Sequence, residues 1–84
     1  MKHFATPTFW FHYRNLPEHI RMLADKNFEM LKVHPETHNL RLKKVGAFYS
    51  VRVGAHYRAI AIDRKEGLVW IWIGNHSEYD TLLK

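Results

Sequence analysis

Cysteine is missing from the 84 residues of this chain, which removes disulfides, thiolate metal sites and a cysteine nucleophile. Glycine is scarce, with 4 residues that never cluster into a phosphate-cradling loop, so no nucleotide cofactor is expected. No apolar stretch reaches the length of a membrane span, and residues 1–6 lack the apolar run of a signal peptide. The expectation is a soluble, cytoplasmic protein with no membrane partner. The histidines offer no metal set. His34 and His38 are four apart, but Pro35 between them breaks the helix that this spacing needs, and HExxH is absent. There is no internal repeat and no low-complexity segment, so residues 1–84 read as a single domain.

The hydrophobic share is 46%, with 5 Phe, 4 Tyr and 3 Trp, enough to build a core without disulfides. Thr6-Pro7 reads as a helix cap followed by a first-turn proline, opening a helix through Phe9, Trp10, Phe11 and Tyr13. Residues 2–5 have room for a short edge strand ahead of it. Pro17 suits the first turn of a second helix, along which Leu16, Ile20, Leu23/Ala24, Phe28 and Leu31 recur at three- and four-residue steps. Segments 40–45, 48–53, 56–62 and 68–73 alternate or run apolar and are separated by turn-sized gaps, a β-meander. Both faces of 68–73 are apolar, so this strand is expected to be central, with Trp70 and Trp72 on one face. Ser77 to Asp80 fits a capping box, starting a short helix through Leu82-Leu83. The pattern predicts an α+β fold: two N-terminal helices packed on a four-stranded antiparallel sheet with a short C-terminal helix.

Charge is concentrated on the meander. Residues 40–65 hold seven Lys/Arg against Asp63, a net +6, while the rest of the chain is net −1. A focused cationic surface suits a polyanion, nucleic acid above all. Arg52 and Arg58 lie on successive strands. A two-residue turn at Gly54-Ala55 puts them on opposite faces, and a three-residue turn that includes His56 puts them directly opposite one another; the sequence leaves both registers open. Like charges across a sheet repel, so an opposed pair implies an anion between them. Of Lys43 and Lys44, only one can join any site on a given face, because adjacent strand residues alternate. His76 follows the last strand at Gly74-Asn75, where an imidazole can serve as general acid or base. Tyr79 can orient or donate to a phosphate, or pack on the sheet, and Asp80 reads first as a cap residue.

The order and spacing of these pieces resemble the RelE/ParE superfamily of toxins from bacterial type II toxin–antitoxin systems. The resemblance covers nearly the whole chain. It runs through Thr6-Pro7, Phe9-Trp10 and Leu16-Pro17, then Leu42 to Gly46, Tyr49 to Gly54, His56-Tyr57-Arg58 and Ile73 to Asp80. It implies the superfamily's small RNase-like α+β sheet, a cognate antitoxin as partner, and no cofactor or metal. RelE-like members cut mRNA in the ribosomal A site, the ribose 2′-OH attacking the adjacent phosphate. ParE-like members poison DNA gyrase and lack the catalytic set, and a degenerate member has no activity. Carried over by position, Arg52 and Arg58 match the phosphate-binding sheet residues, His76 the post-strand site and Tyr79 the tyrosine. Arg41, Lys43 and Lys44 stand as RNA-binding residues. Ser50 occupies a place where some relatives have lysine, and no acid clearly takes the general-base position.

Overall fold

A computed structural model describes residues 2–33 and 42–82. In chain order the elements are β1 (His3–Ala5), α1 (Pro7–Arg14), α2 (Glu18–Val33), β2 (Lys43–Val45), β3 (Phe48–Val53), β4 (Tyr57–Arg64), β5 (Gly67–Asn75) and α3 (His76–Leu82). The first helix begins as its sequence predicts. Thr6 caps it, its hydroxyl accepting from the Phe9 N–H at 3.1 Å, with Pro7 in the first turn where no N–H is needed. Ile20 and Leu31 carry the buried stripe of α2, with Leu16 buried just ahead of the helix, while Phe28 stays partly exposed at its rim.

The sheet has five strands in the order β1-β5-β4-β3-β2, against the four-stranded antiparallel sheet that the pattern predicts. The fifth strand is β1, which runs parallel to β5 with His3 opposite Leu68 and Ala5 opposite Trp70. The Leu68 N–H donates to the Lys2 carbonyl, and the Thr6 N–H to the Trp70 carbonyl, both at 3.0 Å. Local alternation cannot reveal such a pairing, because its two halves come from opposite ends of the chain. The meander itself is antiparallel throughout, and β5 is central as its two apolar faces require.

A bulge corrects the assignment of the two tryptophans to one face. Ile60 pairs with Trp72 and the next residue, Ala61, with Trp70, so Ile71 is the extra residue on β5. The bulge reverses the alternation. Trp70 joins Leu16, Ile20, Leu31, Val51, Val53, Ala59, Ala61, Leu68 and Ile73 in the core beneath the helices. Trp72 turns to the other face and forms a second, smaller core with Ile60 and Tyr79 of α3. Each side of the sheet is therefore covered, with Tyr79 of α3 packing on the far side and His12 of α1 reaching the Trp72 ring.

His3 fastens β1 to this framework. Its Nδ1 accepts from the Trp70 indole N–H at 3.0 Å, and its ring meets Phe28 edge-on. Burial holds its pKa below the ordinary 6.5, assisted by the N-terminal ammonium and Lys32. The unfolded chain therefore takes up a proton before the folded one. Stability from His3 is intact above the ordinary value and declines as pH falls through it. Urea midpoints at about pH 7.5 and about pH 5.5 should differ less for His3→Asn than for the parent; an equal difference would leave His3 out of the acid response.

Candidate functional site

The far face of the sheet carries most of the candidate residues. Cross-strand partners share a face, so one row runs Lys43, Ser50, Ile60, Trp72 and the next runs Arg52, Arg58, Gly74. Residues 54–56 form the three-residue turn, and Arg52 and Arg58 stand directly opposite each other. Gly54 makes that turn possible. Its φ is +65°, in the left-handed region, and a β-carbon there would come within 2.8 Å of Leu23 Cδ2. Arg52 closes the turn from the side by donating Nε–H to the Gly54 carbonyl at 2.9 Å.

Two guanidinium groups in directly paired positions repel unless a negative charge lies between them. Arg58 is steered from its flanks: its Nη1 lies 3.5 Å from the hydroxyl of fully buried Ser50, and its guanidinium carbon 5.2 Å from the Tyr79 ring centroid. That geometry holds a cation over an aromatic face. The same tyrosine stacks on His76, with centroids 5.9 Å apart and planes 18° from parallel. Tyr79 is buried against Ile60 and Trp72, so its ring acts as a fixed floor beneath Arg58 and His76.

Helix α3 begins earlier than the Ser77–Asp80 box predicts. The capping box is Asn75 with Glu78: the Glu78 N–H donates to Asn75 Oδ1 at 2.8 Å, and the Asn75 N–H meets Glu78 Oε1 at 3.4 Å. Both sets have a cap residue followed three positions later by an acid, and the earlier set abuts the end of β5. His76 thereby becomes the first residue of α3, its N–H donating to the His56 carbonyl at 2.7 Å. Asp80 is not the cap. One turn further on, its Oδ2 lies 3.5 Å from Nε2 of His76.

Gly74 makes room for all of this. The Trp72 indole folds back over it, so an added β-carbon would lie 2.4 Å from Cζ2 of that ring. Arg52, Arg58, His76 and Tyr79 are thus brought together, and Lys43 stands on the same face one row away. Lys44, paired with Tyr49, lies on the helix side. Arg64 ends β4, six residues or about 20 Å of strand from Arg58, with Lys65 in the turn beyond. Arg41 falls outside the described residues. The cationic surplus is therefore divided, and on the far face it narrows to Arg52 and Arg58 in one row with Lys43 in the next. Sequence reasoning did not single out His56, although its place in the open Arg52/Arg58 register already put it beside the pair. Among the described residues no cluster could hold a metal ion, and no helix is long and apolar enough to cross a membrane.

The family model of the ParE-like toxin domain matches residues 18–81. Among solved structures, the RelB–RelE antitoxin–toxin complex of Methanococcus jannaschii contains a chain with the same fold. It superposes with a TM-score of 0.71 at 20% identity, covering 96% of this chain and 99% of that one. The isolated RelE toxin of E. coli superposes with a TM-score of 0.64 at 14% identity, covering 95% and 93%. The intact E. coli RelBE toxin–antitoxin complex gives 0.63 at 16% identity, covering 86% and 92%. No curated protein sequence matches.

Proposed function

This chain belongs to the ParE-like toxin domain family, within the RelE/ParE superfamily, and we propose that it is the toxin of a type II toxin–antitoxin system, cleaving mRNA in the ribosomal A site. The observation that carries this reading is the directly opposed Arg52/Arg58 pair with His76 and Tyr79 beside it. In such cleavage the ribose 2′-oxygen bonds to the adjacent phosphorus and the bond to the 5′-oxygen breaks. Negative charge builds on the phosphoryl oxygens as this happens. Arg52 and Arg58 stabilise that charge from fixed positions, which costs no reorganisation at the moment of reaction. His76 moves a proton to or from the oxygens that exchange at phosphorus. Tyr79 orients the arginine and the imidazole through its ring, and Lys43 contributes to holding the RNA backbone.

The partner that fits this reading is an antitoxin whose acidic segment covers the arginine face; two of the similar solved structures are antitoxin–toxin complexes. Antitoxin and RNA then compete for one surface. A second reading, non-enzymatic inhibition of DNA gyrase, draws on Ser50, which is fully buried where some RNase relatives carry lysine.

One experiment separates the two. The protein is added to a translation reaction programmed with a defined message, the new 5′ ends are mapped, and gyrase supercoiling is assayed in parallel. The proposal expects cuts within codons at occupied A sites and unimpeded supercoiling. Intact messages with blocked supercoiling would replace it with the gyrase reading.

A further inference from the structure

Transfer of a phosphoryl group from the 5′-oxygen to the 2′-oxygen needs two proton movements, one off the 2′-OH and one onto the leaving oxygen. His76 can serve only one of them at a time. Another histidine at this end of the sheet is His56, an exposed residue of the turn between β3 and β4 whose carbonyl accepts the His76 N–H. We propose that His56 is the proton acceptor for the 2′-OH and that His76 is the donor to the 5′-oxygen; the inference rests on the cleavage reading above.

Two constraints fix where His56 stands. Its carbonyl accepts the His76 N–H at 2.7 Å, so the backbones of the two histidines touch. Its turn is held by Gly54 packed on Leu23 and by the Arg52 Nε–H on the Gly54 carbonyl. Tyr57, the next residue, packs into the helix-side core, and His56 itself is exposed at the end of the turn. The arginine pair thus has a histidine at the turn and another at the start of α3.

The two histidines have different neighbours. Beside His76 stand Asp80 of α3 and the ring of Tyr79, over which Arg58 also lies. Glu78 is engaged at the helix cap, and Asp80 is 3.5 Å from Nε2 of His76. That carboxylate lies beside the ring whose proton the leaving oxygen would take. His56 sits in the turn that joins the strands of Arg52 and Arg58. The reaction then balances. The 2′-OH proton passes to His56, the 2′-oxygen–phosphorus bond forms, the phosphorus–5′-oxygen bond breaks, and a proton from His76 goes to the departing oxygen. The product is a 2′,3′-cyclic phosphate.

The test is single-turnover cleavage of a message on programmed ribosomes across a range of pH, for the parent, His56→Gln and His76→Gln. Each substitution should lower the rate on the order of 10²-fold or more. His56→Gln should remove the limb of the profile that rises with pH, and His76→Gln the limb that falls. Added imidazole should restore part of the His56→Gln rate. The backbone bond to His76 does not involve the His56 side chain, so thermal midpoints should be unchanged. A His56→Gln variant that cleaves at the parent rate with the parent pH profile overturns the role of His56 and leaves the cleavage reading standing. A parent protein that cuts no message overturns both.

Discussion

Arg58→Ala should lower the rate of message cleavage on the order of 10²-fold or more while leaving the domain folded. The residue is only partly buried, and its contacts are the ring of Tyr79 and a long approach to Ser50. Little packing goes with it, and removing one of two facing like charges relieves a repulsion. Stability should therefore stay level or rise while activity falls. That opposition separates a charge kept for its ligand from one kept for the fold. Arg58→Lys should recover only part of the rate, because an ammonium cannot present two parallel N–H donors to a phosphate. Arg64→Ala, at the far end of the same strand, supplies the control: it removes one positive charge from β4 without touching the pair. A similar loss for Arg58→Ala and Arg64→Ala would mean that net charge alone draws the RNA, and that the opposed pair is not the phosphate site.

The second large effect belongs to Gly74. In Gly74→Ala the new methyl would lie 2.4 Å from Cζ2 of Trp72. A ring at the end of a mobile chain could swing aside, but Trp72 is buried between Ile60 and Tyr79. Overpacking of this kind costs roughly 1–3 kcal/mol. For a domain of this size the thermal midpoint should fall by roughly 4–8 °C for each kcal/mol. The double variant Gly74→Ala/Trp72→Leu should lose less than the two single losses added together, because the smaller side chain removes the clash. Additive losses would show that the glycine is needed for some reason other than the indole above it. Message cleavage should fall along with stability, since moving Trp72 moves Tyr79, the floor beneath Arg58 and His76.

What could be read from the sequence was what neighbouring residues decide among themselves. Thr6-Pro7 announces α1 because a hydroxyl and a missing N–H act within one turn. The meander shows because alternation is local. Arg52 and Arg58 were identifiable as candidates, yet their register was not, because Gly54, Ala55 and His56 accommodate turns of either length. The choice was made by contacts from elsewhere: Leu23 against Gly54, and the His76 N–H on the His56 carbonyl. The bulge at Ile71 was illegible for the same reason, since the alternation of 68–73 carries no mark of the place where it reverses. Two overlapping capping signals preceded α3, and the end of β5 selected the first. Residues 34–41, with the loop and Arg41, lie outside the described residues, as does Leu83.

The parallel seam between β1 and β5 dictates an order of assembly. His3 and Trp70 bond across 67 positions of sequence, and Thr6 and Trp70 across 64. Closing so long a loop is entropically expensive and slow compared with forming the hairpins of the meander. As the chain leaves the ribosome, the first strand emerges long before its partner exists. The hairpin between β3 and β4 can form early and set the two arginines opposite each other. β5 and then α3 follow, bringing Gly74, His76 and Tyr79. A nascent chain therefore holds the two arginines before it holds Gly74, His76 and Tyr79. On the cleavage reading, that delay keeps the protein from attacking the ribosome that is making it.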